Sequence, residues 1–469
     1  MSAGRAALAF VRRHPRWFAA LAVFCLLPFA AHFAIRLSVR LKPEAVTVPA
    51  GTVERAGPQL TRFADSYVLD RGGLLEVGLS GTPEAIGYSH SRLLYDRMVE
   101  NEGVLQTQLA EQIPSFLART LLIDLAQLRY REVDRGMSPA RRREISGGAL
   151  GFAPDPFASF LPTYQRFVYL NTLYDIALSF EHSPLVGCTT VAFQGAAKPE
   201  GGALIARAFD MEIDSIFDRK KAVFLVRESG KIPFASVSWP GLVGVVSGMN
   251  AEGVAVVVHG GRAGEPRTQG EPVVHALRRV LGNARTIRDA LSELGQGEPL
   301  VSHIVIVADA GGHVSVVERV PGARPTLRPL PPRAAVTNHF EGPASSDPKN
   351  LHVLADTTSE IRRERADELV ARATAPVTPE QALAILRDRK APRDAPLPLG
   401  DRRAIDALIA THGVIFDTQT KTLWVSEYPH LLGRFVAFDL PRLLAPDAAP
   451  DPTPLPALPA DPLLPSYRP

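Results

Sequence analysis

Between Ala222 and Val317 the chain runs through short apolar segments joined by turn residues, and this pattern most restricts the fold. Ala222 to Val226 passes through Ser229-Gly230 into Phe234 to Trp239, and Val243 to Val246 passes through Asn250 to Gly253 into Val254 to Val258. His303 to Ala308 then turns at Gly311-Gly312 into Val314 to Val317. β-Branched side chains suit a pleated surface, and Gly and Asn tolerate the backbone of tight turns, so an antiparallel meander is predicted. Val414 to Phe416 and Leu423 to Val425 predict a late hairpin. Helical spacing lies elsewhere. It is read at about Glu84 to Arg135 (Leu105, Leu109, Ile113, Leu117, Leu121), with a break at Pro114, and at Tyr164 to Phe180. Pro272 to Leu294 carries Val273, Val274, Leu277, Val280 and Leu281, and Ile361–Ala373, Pro379–Arg387 and Arg403–Ile409 complete the set. Strands segregated from helices make the class α+β.

Trp17 to Ile35 holds no Asp, Glu, Lys or Arg, and as a helix it is long enough to cross a hydrocarbon core of ~30 Å. Arg5, Arg12, Arg13 and Arg16 precede it, as expected for a cytoplasmic N-terminus. Its far end lacks a small-x-small cleavage site, so an uncleaved anchor is favoured over a signal peptide. The expected organisation is a cytoplasmic residues 1–16, a transmembrane anchor at 17–36, a helix-rich segment at 37–187, the strand-rich body at 188–440 and a proline-rich tail at 441–469. The body would then lie on the exported side of a single-pass membrane protein. The stretch from Gly136 to Pro156, with Arg141-Arg142-Arg143, reads as a solvated loop.

The formal net charge is only +3, with no basic stripe and no Gly-rich phosphate loop, which leaves nucleic acid and nucleotide partners without support. Two cysteines, one inside the apolar N-terminal stretch, exclude a disulfide framework.

The other cysteine, Cys188, sits in Leu185-Val186-Gly187-Cys188-Thr189-Thr190 at the head of a strand-like run. A lone cysteine in apolar company is usually a small buried hydrophobe. If the Gly187-Cys188 bond is cut, however, Cys188 carries both a thiol and an α-amine, nucleophile and general base in one residue. An α-amine titrates near ~7.7 to 8.0 and a thiol near ~8.5, close enough for proton passage at neutral pH. Arg207 and Asp210 follow, closing the apolar run Ala203-Leu204-Ile205.

With these patches come Gly81-Thr82-Pro83-Glu84-Ala85-Ile86-Gly87-Tyr88-Ser89-His90, Gly248-Met249-Asn250-Ala251-Glu252-Gly253, Thr337-Asn338-His339-Phe340 and Ser359-Glu360-Ile361-Arg362. In this order they resemble the cysteine branch of the N-terminal nucleophile (Ntn) hydrolases, specifically the isopenicillin N acyltransferase family, with choloylglycine hydrolases more distant. The resemblance implies a four-layer α-β-β-α sandwich and a self-processing amide hydrolase or acyltransferase acting through a thioester on a small-molecule acyl amide. It implies no cofactor and no metal, and two processed chains, residues 1–187 and 188–469, that stay associated.

In that setting Cys188 is the nucleophile, Arg207 favours its thiolate, and Asp210 accepts a hydrogen bond from the α-ammonium. The bland alternative is a structural ion pair. Residues three apart point to opposite faces of a regular strand, so a bulge near Phe209 is expected. Asn338 is the candidate oxyanion donor, against an Asx turn, and Asn250 reads as turn chemistry. Arg362 fits the family pattern, but Arg363 and Arg365 lie on the same expected helix. His259 and His339 are set aside because the α-amine is the base. Choloylglycine-type relatives carry a second asparagine where this chain has His259-Gly260-Gly261, so bile-salt specificity is not implied. Two other readings stay open: an inactive envelope binding protein that keeps the fold, and an acyl-CoA-dependent N-acyltransferase.

Overall fold

A computed structural model describes residues 15–179 and 186–468. It divides into two compact units, one of residues 1–42 and 105–132, the other of residues 43–104 and 133–469.

The larger unit is built on two sheets, of eleven and seven strands. Their pairings are antiparallel except one, where Leu75–Gly81 lies parallel to Ala222–Glu228. The strands Glu54–Arg55, Leu60–Phe63, Ser66–Asp70 and Leu75–Gly81, all upstream of Cys188, belong to the same sheet as the meander. The predicted hairpins Ala222–Glu228 with Phe234–Ser238, His303–Ala308 with Val314–Arg319, and Ala410–Asp417 with Thr422–Ser426 are present, while in the remaining one the first strand is Ser247–Asn250 rather than Val243 to Val246, paired with Ala255–Gly260. Ala255–Gly260 is buried along its whole length, which is why Ala255 to Val258 is a continuous apolar run rather than an alternating one.

The two sheets face one another across a core that includes Ile205, Val257, Ile306, Val316 and Phe416. Helices cover the outer sides. Val273–Asn283 lies on the eleven-stranded sheet, and its five predicted apolar positions are at most 1% exposed. Each such side chain contributes about 1.5–3 kcal/mol by leaving water. Ser359–Arg372 and Pro379–Leu386 cover the seven-stranded sheet through a second cluster with Leu204, Ala206, Ala208 and Ile415. The α+β class therefore stands, with helices outside two facing sheets.

Several expectations need correction. The basic stretch is not a solvated loop: Pro139–Gly151 is a helix, and Arg141 is buried between Glu144 and Glu228. Burial of a cation among carboxylates costs less than burial alone. Arg403–Ile409 forms turns instead of a helix, because Asp401 caps Arg403 N and Asp406 caps Leu408 N. The proline-rich tail also joins the body, where Ala457–Leu458 extends the seven-stranded sheet beside Phe435–Asp439.

The smaller unit contains the helix Pro15–Ser38, with Pro28 inside it, and the helix Phe116–Arg129, whose N-cap is Ser115. Among the described residues no helix is long and apolar enough to cross a membrane, so a spanning anchor at residues 17–36 is not supported. Instead His32 of the first helix is bonded through Nδ1 to Asp124 of the second, 2.8 Å from Oδ2.

Candidate active site

Strand alternation decides what surrounds Cys188. The strand Val186–Gln194 pairs antiparallel with Ala203–Met211, setting Gly187 opposite Asp210, Cys188 opposite Phe209 and Thr190 opposite Arg207. Ala192 and Ile205 point into the inter-sheet core, whereas Val191, Phe193, Leu204 and Ala208 point to the helix layer. By the two-residue period, Cys188, Thr190 and Arg207 share the inter-sheet face, while Gly187 and Asp210 belong to the helix side. The predicted bulge near Phe209 is absent from this pair; the irregularity lies in the neighbouring strand, between Ala410 and His412. No bulge is needed. Arg207 meets the Cys188 thiol on one face of the sheet, and Asp210 lies opposite Gly187 on the other.

On the inter-sheet face, Arg207 Nη2 donates to Cys188 Sγ at 3.3 Å and to Val258 O at 2.6 Å. Its Nη1 donates to Ser247 Oγ and faces His412 Nε2 at 3.3 Å, and the guanidinium lies 4.1 Å from the centroid of Phe209. Thr190 Oγ1 is 2.7 Å from His259 Nε2, and His259 Nδ1 is 2.9 Å from Thr337 O. A carbonyl can only accept, so Nδ1 carries the proton and Thr190 donates to Nε2. His259 is held neutral, its pKa pushed well below the ordinary range by burial and then by Arg207. Burial also pushes the Cys188 thiol up, with Arg207 opposing.

On the helix side, Cys188 N donates to Asn338 Oδ1 at 2.8 Å. Arg362 Nη1 donates to Cys188 O at 2.7 Å and Thr189 Oγ1 at 2.8 Å, and its Nη2 donates to Asn338 Oδ1 at 2.9 Å. Those two donors fix which end of the Asn338 amide is oxygen. Asn338 Nδ2 donates to Gly260 O at 3.0 Å, so in this chain that nitrogen is bonded to backbone instead of standing open to a substrate oxygen. Ser359 Oγ accepts from Asn338 N at 2.8 Å and holds the residue in place.

Asp210 is the anomaly. It is buried, yet among the described residues its Oδ1 has no hydrogen-bond partner, and burial pushes its pKa up to about 7 with Arg362 opposing. A Cβ placed on Gly187 would lie 3.7 Å from Asp210 Oδ2 and 3.9 Å from Arg362 Nη2, so both groups flank the Gly187-Cys188 junction. An unpartnered buried oxygen is costly unless something arrives to meet it.

The five sequence candidates thus converge: Cys188, Arg207, Asp210, Asn338 and Arg362 surround one peptide unit. Arg362 is the arginine that reaches it; Arg363 bonds Asp367 and Glu341, and Arg365 bonds Glu368, Asp388 and Asp394. Asn250 is a turn residue, accepting from Glu252 N and Val254 N. Sequence reasoning missed Thr190, Ser247, His412 and Tyr174. Tyr174 stacks on Phe209 at 6.3 Å and has a buried hydroxyl without a partner among the described residues. Nothing in a linear pattern marks these residues, since strand neighbours contribute them. Cys188 is fully buried, and residues 180–185 just upstream lie outside the described residues.

Comparison with known proteins agrees with the resemblance read from the sequence. Residues 197–425 match the family described as acyl-coenzyme A:6-aminopenicillanic acid acyl-transferase. The match includes Arg207, Asp210, Asn338 and Arg362 and begins beyond Cys188. An uncharacterised protein of Archaeoglobus fulgidus is 26% identical over 272 residues, 52% of this chain and 43% of that protein, so the chain spans less than half of its relative's length. Among solved structures, the penicillin V acylase of Agrobacterium tumefaciens is 16% identical with a TM-score of 0.38, over 55% of this chain and 87% of that one. The Caenorhabditis elegans N-acylethanolamine-hydrolyzing acid amidase ortholog is 14% identical with a TM-score of 0.35, over 50% and 93%.

Proposed function

We propose that this chain is a self-processing Ntn amide hydrolase or acyltransferase with the four-layer α-β-β-α arrangement, activated by cleavage between Gly187 and Cys188. The observation that carries the reading is the buried Asp210 opposite Gly187, whose Oδ1 lacks a partner among the described residues, together with a Cys188 nitrogen already held by Asn338 Oδ1. A backbone amide offers that nitrogen's single hydrogen to Asn338. An α-ammonium would offer three, enough for Asn338 and Asp210 together.

Processing would begin when Cys188 Sγ attacks the Gly187 carbonyl carbon through a five-membered ring. The C–S bond forms, the C–N bond breaks, and the thiol proton passes to the departing nitrogen, leaving a thioester and a free α-amine. Water then opens the thioester, giving a Gly187 carboxylate and restoring the thiol. Arg207 at 3.3 Å stabilises the developing thiolate, and Arg362 fixes the Cys188 carbonyl so that the peptide stays aligned. In turnover the α-amine takes the thiol proton, Sγ attacks the acyl amide, the amine product leaves protonated, and the acyl thioester passes to water or to an amine acceptor. Four strands from upstream of Cys188 lie within the eleven-stranded sheet, which supports the two products remaining together.

The test is cleavage of the purified chain without added protease. The C-terminal product, residues 188–469, should run at about 30 kDa, its proportionate share of 50.7 kDa, and its first Edman cycle should yield Cys. A chain that stays full-length under all conditions overturns the proposal and leaves the binding-protein reading. Incubating the cut protein with N-acyl amides, with and without an amine acceptor, separates hydrolysis from transfer. Hydrolysis is expected, because water needs no second binding site; product formed only with acceptor reverses that choice.

A further inference from the structure

The smaller unit is built inside out. On the helix Phe116–Arg129, Asp124 and Gln127 are buried, while Leu117, Leu121, Leu125 and Leu128 are 69%, 57%, 53% and 41% exposed. Those leucines recur at four, four and three residues and therefore form one continuous stripe. The helix Pro15–Ser38 repeats the arrangement, with Leu26, Leu27, Phe29, Phe33 and Leu37 exposed and His32 turned to Asp124. Of the large apolar side chains exposed among the described residues, twelve of eighteen belong to this unit. A water-soluble helix pair buries its leucines and hydrates its carboxylate. This pair does the reverse.

Charge identifies the partner. The unit carries ten Lys and Arg against three Asp and Glu, a net of +7 within a chain of net +3, which leaves the larger unit at −4. Residues 1–42 contain no acidic side chain, and Arg16, Arg40, Lys42, Arg129 and Arg131 are exposed. Exposed leucine stripes bordered by cations match the interface of a bilayer that has apolar tails below anionic headgroups.

We infer that the helices Pro15–Ser38 and Phe116–Arg129 dock together into the surface of an anionic lipid bilayer, with the His32–Asp124 pair holding them side by side. This differs from a single spanning anchor, because the second helix is required and the attachment is partly electrostatic. It is also independent of the cleavage reading.

The test is flotation of the full chain with vesicles of phosphatidylcholine alone or mixed with phosphatidylglycerol. Flotation with the mixed vesicles, weakened by added salt, is expected. Leu121→Gln with Leu125→Gln should lower partition at least about tenfold, since two leucines lose their apolar environment. Arg40→Gln with Lys42→Gln should reduce only the preference for phosphatidylglycerol. Self-cleavage and the melting temperature should be unchanged in both pairs, because these side chains are exposed. Three results overturn the inference: a leucine variant that floats like its parent, which would leave attachment to the first helix alone; a parent that floats with neither vesicle; or a parent that is oligomeric without lipid and becomes monomeric in the leucine variant, which would assign the stripe to a second copy.

Discussion

Asp210→Asn, made in a Cys188→Ala chain that cannot cut itself, tests the site at its most unusual group. In the uncut chain the Asp210 pKa rises from 3.8 to about 7, chiefly because burial penalises the carboxylate. A carboxyl group whose folded pKa lies above its unfolded value binds its proton more tightly when folded. Its contribution to stability is therefore fully present below about pH 4 and is lost as pH climbs through about 7. A shift from 3.8 to about 7 corresponds to a loss of up to about 4 kcal/mol. Asparagine keeps the shape and never ionises. The Asp210→Asn chain should accordingly match its parent at roughly pH 3 and exceed it by as much as about 4 kcal/mol at roughly pH 8. Asp175, also raised to about 7 by burial, contributes the same slope to both chains and cancels in the comparison. Urea unfolding followed by tryptophan fluorescence is suitable, because Trp239 lies 5.9 Å from Phe209. If Asp210→Asn weakens the chain at high pH, or leaves its pH dependence untouched, the carboxylate is already satisfied before cleavage and the argument for an incoming ammonium fails.

The remaining expectations concern processing and packing. Because burial raises the Cys188 thiol and its two hydrogen-bond partners are a cation and a carbonyl, cleavage should accelerate steadily from neutral to alkaline pH; a rate that peaks near neutrality would point to a separate base. Arg362→Lys should slow cleavage at least about tenfold, since one ammonium cannot replace a fork bonded to Cys188 O, Thr189 Oγ1 and Asn338 Oδ1, whereas Arg363→Gln should cleave normally. Equal rates in the two variants would remove Arg362 from the site. Thr190→Val orphans the buried His259 Nε2 and should cost about 1–3 kcal/mol of stability, which Thr190→Ser restores; loss of stability in both would indicate packing rather than the hydrogen bond.

Local signals carried much of this protein. The alternation of β-branched runs with Gly and Asn turns was sufficient for the hairpins, because register follows from which face is apolar. Val273, Val274, Leu277, Val280 and Leu281 marked a buried helix face in advance, and the family resemblance singled out Cys188, Arg207, Asp210, Asn338 and Arg362, which the fold brings together. The same signals failed where tertiary partners override local preference. The run Arg141-Arg142-Arg143 looked solvated until Glu144 and Glu228 neutralised its first member. The apolar stretch from Trp17 looked like an isolated span until Asp124, far along the chain, turned out to face His32.

By itself, then, the order of residues determined the α+β class and the hairpins, which depend on neighbours within a few positions, and singled out Cys188 as the candidate nucleophile. Which of Arg362, Arg363 and Arg365 faces Cys188, which end of Asn338 meets the Cys188 nitrogen, and how Thr190 orients His259 were decided only when distant strands and a helix closed around one peptide bond. The two faces of that strand explain the division. Alternation is a local property and fixes that Arg207 and Asp210 point apart, but only two sheets and a helix layer, assembled from across the chain, give each face something to act on.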